Sequence, residues 1–132
     1  MAVALGGGLG SLLRWALSGA TPAGPLTGIP WPTWGINIAG CLAIGILLVL
    51  LTEAVAAPHP LVRPFLGTGL LGGFTTMSTY ADQVLALSRA GEAVLAVGYL
   101  CGTLTAALAA VAVGVLATRA LTGVRPLLGA RP

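Results

Sequence analysis

Glycine and hydroxyl residues crowd into one short stretch of an otherwise apolar chain. Residues 67–82 read GTGLLGGFTTMSTYAD. Glycine is a poor helix former and β-branched threonine a weak one, so a helix through this stretch is predicted to break. Freed carbonyl oxygens at such a break suit a hard cation, whereas freed amides, hydroxyls and helix N-termini suit an anion. The stretch therefore predicts a pathway for an ion or polar solute and leaves the ion open.

A few isolated polar residues interrupt the other apolar stretches. Arg14 is either a side chain that reaches toward lipid headgroups or a cation at a pore mouth that attracts anions or pins the structure. Asn37 is either a hydrogen-bond clamp between helices or a pore-lining amide. Glu53 and Asp82 fall near the ends of apolar stretches, where we expect them to be solvated at the membrane interface.

The composition requires a lipid environment around these residues. Apolar residues make up 57% of the 132 residues and charged residues 7%, and the mean hydropathy is +1.00. A soluble domain carries about a quarter charged residues, so nine charges cannot solvate a globule of this size. The six basic residues are single, scattered arginines, which excludes a clustered nucleic-acid surface. Cys41 and Cys101 lie in apolar runs, where packing is the expected role.

The pattern predicts an all-α membrane protein, with residues 1–132 forming one domain in the cell membrane. Four apolar segments are long enough to cross the bilayer or nearly so, at about 2–19, 34–52, 61–87 and 93–118. We expect a turn-rich loop at 20–33, with Trp31 and Trp34 at the interface. Short connections make successive spans antiparallel, so both termini share one side. The arginine bias between the sides is slim, which is compatible with insertion in both orientations.

Small residues recur at four-residue spacing, which lets helix backbones approach closely in lipid. The first span has Gly6 and Gly10, and the second has Gly35 and Ala39. The fourth span carries a longer stripe of Gly98, Gly102, Ala106 and Ala110. We expect tight packing within the bundle, and the length of the fourth stripe also suits a dimer interface.

Three stretches resemble the signature sequences of the Fluc/CrcB family of fluoride channels. They are residues 6–15 (GGGLGSLLRW), 34–40 (WGINIAG) and 72–80 (GGFTTMSTY), in the family's order and at similar spacing. The third is the most specific. The resemblance implies four-helix subunits whose third helix is broken mid-membrane and which assemble as an antiparallel, dual-topology dimer. It also implies two fluoride pores, passive export of cytoplasmic fluoride, and one central structural sodium ion.

The resemblance also assigns roles to single residues. Gly72 and Thr75 match the positions whose backbone carbonyls hold the sodium ion. Arg14 matches the family's first-helix arginine. The positions matched to the fluoride path are Asn37, Ser78, Thr79, Tyr99 and Thr103. Tyr99 and Thr103 lie on the fourth helix, where Ala107 follows one turn after Thr103.

The chain departs from the family pattern at two positions of the pore. The family's paired phenylalanines, whose electropositive ring edges face the anion, are Met77 and Tyr80 here. Tyr80 keeps an aromatic edge and adds a hydroxyl. Met77 keeps apolar bulk and polarisability without the aromatic quadrupole. This departure leaves open a homodimer or a heterodimer with a related, non-identical subunit.

Two alternatives remain beside a self-sufficient channel. One is a non-conducting partner subunit of a heterodimeric fluoride channel, motivated by Met77. The other is a small proton-coupled multidrug antiporter, which is also a four-helix, dual-topology dimer but needs a membrane-embedded carboxylate that the first span lacks. An enzyme is not expected, because His59 stands between two prolines without a nucleophile or metal partner at useful spacing.

Overall fold

The computed structural model describes residues 1–19, 28–55 and 57–123. Within that part of the chain every regular element is a helix. The helices are α1 (Ala2–Gly19), α2 (Trp31–Val49), α3, α4 (Ser78–Arg89) and α5 (Ala93–Thr122). A π-helical turn, Leu50–Ala54, continues α2. Helix α3 consists of a π-helical segment, Arg63–Leu71, followed by one α-helical turn, Gly72–Phe74.

Two of these helices are long and apolar enough to cross a membrane. They are Trp31–Ala54, which includes the π-helical turn, and Ala93–Thr122. The first starts three residues before the predicted span, because Pro32 fits the first turn of a helix, where its missing amide hydrogen is not needed. The second ends at Thr122, four residues later than predicted, and is followed by Gly123, whose φ of 66° gives the left-handed cap that favours glycine.

The predicted third span, 61–87, is broken into two helices, as its glycine- and hydroxyl-rich stretch predicted. The chain leaves the helical conformation at Thr75, whose ψ is 159°, and re-enters it at Ser78. Before the break, the glycine-rich segment is π-helical, a form the sequence did not predict. Wide π turns are uncommon and recur at functional sites.

Side-chain and backbone contacts fix the directions of the helices. Helices α1 and α3 are parallel, since Gly6 lies against Phe65 and Gly10 against Phe74. Helix α2 runs opposite to α3, because Leu47 lies beside Gly67. Helices α2 and α5 are parallel: Gly45 touches Val111, and further along Glu53 meets Arg119. We call the end with Ala2, Ala54, Arg63 and Thr122 the first end, and the end with Gly19, Trp31, Arg89 and Ala93 the second end.

Glycines allow the two parallel pairs to pack backbone to backbone. A Cβ on Gly10 would overlap the Leu70 carbonyl, and one on Gly114 would press on the Leu42 carbonyl. The predicted Gly6 and Gly10 pair is buried in the α1–α3 contact. By contrast, a Cβ on Gly98 or Gly102 would meet nothing in the described structure, whereas Ala110, further along the same predicted stripe, is buried.

One bidentate ion pair joins α2 and α5 at the first end. The Arg119 guanidinium donates through Nε to Glu53 Oε2 at 2.9 Å and through Nη2 to Oε1. Glu53, which we expected to be solvated, is therefore held by a neighbouring helix, and the π-helical turn at Leu50–Ala54 carries it. An engaged carboxylate at a helix end is poorly suited to proton exchange in the middle of a membrane.

Candidate functional site

The break between α3 and α4 is held by a side-chain amide from α2. The backbone amide of Thr76 donates to Asn37 Oδ1 at 2.9 Å, and Asn37 Nδ2 donates back to the Thr76 carbonyl at 3.0 Å. In a continuous α-helix the Thr76 amide would bond to the Gly72 carbonyl four residues earlier. Asn37 thus takes over a backbone partner, and the two-point bond also fixes which way its amide points.

Helix α1 supplies two further donors to the same break. Arg14 Nη1 donates to the Thr75 carbonyl at 3.4 Å, and Ser11 Oγ donates to the Gly73 carbonyl at 3.5 Å. Both bonds are long, and both side chains are partly buried. Together with Asn37, these residues engage the carbonyls of three of the four residues from 73 to 76. Arg14 therefore does more than reach for headgroups: its guanidinium contacts broken backbone.

Gly72 and Thr75, the positions matched to a sodium ion, lie at the last helical turn and at the break. The Gly72 carbonyl lacks its usual helical partner, the Thr76 amide, because that amide donates to Asn37. A Cβ placed on Gly72 would meet nothing within 4 Å. The Thr75 backbone is extended, which turns its carbonyl out of the helix, while its hydroxyl donates to the Leu71 carbonyl at 3.0 Å. Neutral carbonyl oxygens of this kind are ligands for hard cations, so these residues fit a sodium ion.

A cluster of hydroxyls starts α4. The Thr79 amide donates to Thr76 Oγ1 at 3.2 Å, so Thr76 acts as the cap for this helix. The hydroxyls of Thr76 and Thr79 are 3.0 Å apart, and Ser78 Oγ lies 3.4 Å from Thr76 Oγ1. Thr76 is buried, whereas Met77, Ser78 and Thr79 are exposed. The second half of the break thus presents hydroxyls and the Met77 side chain on an open face of the chain.

Tyr80 and Tyr99 lie together, but their hydroxyls are occupied inside the protein. Their rings meet edge to face with centroids 5.3 Å apart. Tyr80 donates to the Leu100 carbonyl at 2.6 Å, and Tyr99 donates to Gln83 Oε1 at 3.0 Å. Tyr80 is 5% exposed, so it joins the core, unlike Met77, and its hydroxyl links α4 to α5.

The Thr103 hydroxyl oxygen is the one buried side-chain polar atom without a hydrogen-bond partner in the described residues. Thr103 is 4% exposed. Other threonines of α5 donate to a carbonyl one turn earlier, as Thr118 does to Gly114 at 2.7 Å. The Thr103 hydroxyl makes no such bond, although an unsatisfied buried donor costs about 1–3 kcal/mol. Among the described residues, this hydroxyl is therefore the buried donor whose bonding is left open.

Three residues of this polar network had no role in the sequence analysis. Thr76 lies within the quoted glycine- and hydroxyl-rich stretch and could have been singled out as the cap. Gln83 Nε2 donates to Thr33 Oγ1 at 2.9 Å, which extends the Tyr99 bond to the start of α2. Thr33 was placed in a loop, and only the position of Pro32 in the first helical turn signals otherwise.

The predicted site residues therefore fall into groups. Those around the break are Arg14, Asn37, Gly72, Thr75, Ser78 and Thr79. Tyr80 and Tyr99 form a buried pair beside it, and Thr103 follows one turn after Tyr99 on α5. Met77, between Thr76 and Ser78 in the chain, is 76% exposed.

Comparison with known proteins places the chain among relatives of one kind. The family model described as "CrcB-like protein, Camphor Resistance (CrcB)" matches residues 1–115. A protein of Nocardia farcinica named fluoride-specific ion channel FluC 2 is 51% identical over 93% of this chain and 86% of its own length. The fluoride-specific ion channel FluC of Paracoccus denitrificans is 46% identical, over 90% of this chain and 93% of that protein. The fluoride-specific ion channel FluC of Chloroflexus aurantiacus is 41% identical, over 87% of this chain and 90% of that protein.

Proposed function

This chain belongs to the CrcB-like family, and we propose that it is a subunit of a fluoride-specific channel through which cytoplasmic fluoride leaves the cell passively. It is an ion channel protein of the cell membrane and not an enzyme. The observation that carries the proposal is the helix break, which neutral donors from two other helices hold open. Such a break is tolerated in a membrane only when protein buries it or it lines an aqueous path.

We propose that the chain crosses the membrane four times. The spans are α1, α2, the pair α3 and α4, and α5. Alternating helix directions support this count, as does the apolar outer surface of α1, where Leu5, Leu12 and Trp15 are exposed. The two longest helices carry the strongest membrane signal. With four spans, the described chain begins and ends at the first end.

The open face of the break needs a cover, and a second antiparallel copy supplies one. Gly72, Ser78 and Thr79 expose backbone and hydroxyl groups among apolar helices. Lipid cannot satisfy those groups. If two copies meet break to break in opposite orientations, each covers the other and two equivalent pores result. Among the described residues Arg63 and Arg119 lie at the first end and Arg89 at the second, a slim bias that leaves either orientation acceptable under the positive-inside rule.

The centre of this dimer suits one structural sodium ion. Each copy would offer the carbonyls of Gly72 and Thr75, giving four neutral oxygens. When bound, the ion would join the two breaks electrostatically. The protein's part is to hold those carbonyls outward, which the Asn37 bond and the extended Thr75 backbone favour.

The fluoride path follows neutral hydrogen-bond donors. The residues matched to it are the donors Asn37, Ser78, Thr79, Tyr99 and Thr103, together with the Met77 side chain and the ring edge of Tyr80, whose hydroxyl is bonded to Leu100. Fluoride is small and strongly hydrated, so a pore must replace its water with many donors and still release the ion. Hydroxyls, one amide and an aromatic edge meet that need, and the unpartnered Thr103 hydroxyl is the clearest available donor. The Gln83 and Thr33 bonds extend the polar line toward the second end.

Fluoride efflux from liposomes tests the proposal. Purified chain is reconstituted, and release of fluoride or chloride is followed with ion-selective electrodes, with sodium or with choline as the external and internal cation. We expect rapid fluoride efflux, little chloride efflux, and dependence on sodium. Equal release of both anions, or none with any cation, would contradict the proposal.

The exposed Met77 favours one second candidate: a subunit that conducts only beside a related, non-identical chain. The partner would then supply the aromatic edge that Met77 lacks. The same efflux assay separates the two functions. Conduction by the chain alone supports a homodimer, whereas conduction only after co-expression with a related subunit supports the heterodimer.

A further inference from the structure

Arg14 touches the same carbonyl oxygen that is proposed to hold sodium. Its Nη1 lies 3.4 Å from the Thr75 carbonyl, and this is the one hydrogen bond of Arg14 within residues 1–19, 28–55 and 57–123. The acidic side chains in that part of the chain do not compensate the positive charge of Arg14. Glu53 is bound to Arg119 at the first end, and Asp82 and Glu92 are exposed. Within the described residues, the Arg14 guanidinium therefore has no acidic partner beside the break.

We propose that Arg14 weakens sodium binding at the break by sharing the Thr75 carbonyl, while the same charge draws fluoride toward the pore. This inference rests on the sodium site of the proposed function. A carbonyl oxygen in contact with both cations holds them no more than about 6 Å apart, given a hard-cation distance of about 2.4 Å. In an antiparallel dimer the partner's copy of the residue doubles the effect.

The size of the effect follows from Coulomb's law. Unit charges about 6 Å apart at an effective dielectric of about 20 repel enough to weaken binding roughly a hundredfold. Arg14 is only partly buried, so solvent and salt screen the interaction, and we expect about tenfold. The carbonyl itself can serve both partners, because it has two lone pairs. The charge therefore opposes sodium, and no competition for a lone pair is required.

Sodium binding is measured as the stabilisation of the purified dimer. A ligand that binds only the folded protein raises the Tm as its concentration passes Kd. The dimer in detergent is titrated with sodium chloride at constant ionic strength, with choline as the balancing cation. We call the sodium concentration at which the Tm responds the sodium midpoint. In Arg14→Gln this midpoint is expected to fall about tenfold, which means tighter binding. In Arg14→Lys, which keeps the charge, it should stay near the wild-type value. Arg14→Met is a second neutral variant in case Arg14→Gln does not fold.

A matched control and a second readout separate charge from structure. Arg63→Gln removes an equal charge from the exposed first end of α3 and should leave the sodium midpoint unchanged. In liposomes at saturating sodium, the neutral Arg14 variants should lose fluoride efflux although they bind sodium more tightly. Damage to the break would instead weaken both.

The outcomes are distinct. If wild type responds to sodium and the neutral variants show an unchanged or higher midpoint, the role of Arg14 is overturned and the sodium site stands. If wild type shows no stabilisation by sodium over choline, the sodium site itself is overturned, and this inference with it.

Discussion

The Asn37 amide meets the Thr76 backbone as donor and acceptor at once, which makes its chemistry specific. Asn37→Asp keeps the shape and the acceptor but turns the donor into a carboxylate oxygen that faces the Thr76 carbonyl. A buried acceptor pair without a proton costs about 1–3 kcal/mol. We expect fluoride efflux from liposomes to fall at least tenfold. Thr52→Val, which removes an exposed hydroxyl from the same helix, is the control, and unchanged efflux in Asn37→Asp would refute the role of Asn37.

Thr103 and Thr118 form a matched pair on one helix. Both are buried, at 4% and 6% exposure, but only Thr118 has its hydroxyl bonded, to Gly114. Thr103→Val removes an unsatisfied donor, so the purified protein should keep its Tm or gain stability. If the hydroxyl serves fluoride, efflux should fall about tenfold, the equivalent of one lost hydrogen bond of about 1.4 kcal/mol. Thr118→Val should leave efflux unchanged, and the same result for Thr103→Val would remove it from the path.

At the scale of the helices, glycine contacts decide how closely the parallel pairs approach. Gly10 and Gly8 stand two residues apart on α1. A methyl group on Gly10 would overlap the Leu70 carbonyl, whereas one on Gly8 meets nothing. Forcing such a group into a packed contact costs about 1–3 kcal/mol. In thermal unfolding of the purified protein, Gly10→Ala should lower the Tm and Gly8→Ala should not. Equal values for the two variants would contradict this packing of α1 on α3.

The sequence predicted the helical elements better than their contacts. Residues 67–82 predicted a helix break because glycines and threonines cluster there. In the structure the break lies at Thr75–Met77. Arg14 and Asn37 stood out because charge and amide are costly among apolar residues. The partners of these side chains are backbone carbonyls, which have no sequence signature. Gly45 and Gly114 were missed for a related reason, because which glycine faces a neighbour depends on helix rotation. Gly45 lies outside the four-residue repeats, and Gly114 continues the stripe of the fourth span one turn beyond Ala110, where the prediction ended it.

At the scale of the whole molecule, dual insertion has a direct measurement. In a chain with Cys41 and Cys101 changed to serine, single cysteines are placed at the two ends by His59→Cys and Glu92→Cys, both exposed positions. Intact cells are treated with a membrane-impermeant maleimide. Because the arginine bias between the two ends is slim, a fraction of the molecules with either cysteine should be labelled from outside. Complete labelling of one variant and none of the other would establish a single orientation.

Substitutions at Met77 test whether identical copies of this chain are enough to conduct fluoride. Met77 is 76% exposed at the centre of the open face, so in a dimer its surroundings come mainly from the partner. Met77→Phe adds an electropositive ring edge at that position. If the homodimer already conducts, the substitution should preserve or raise fluoride efflux, whereas Met77→Ser, which loses bulk and polarisability, should lower it. If wild type is silent alone, Met77→Phe should restore conduction by the chain itself. A silent wild type that Met77→Phe does not rescue would show that the missing feature lies elsewhere in the partner and not in the ring edge.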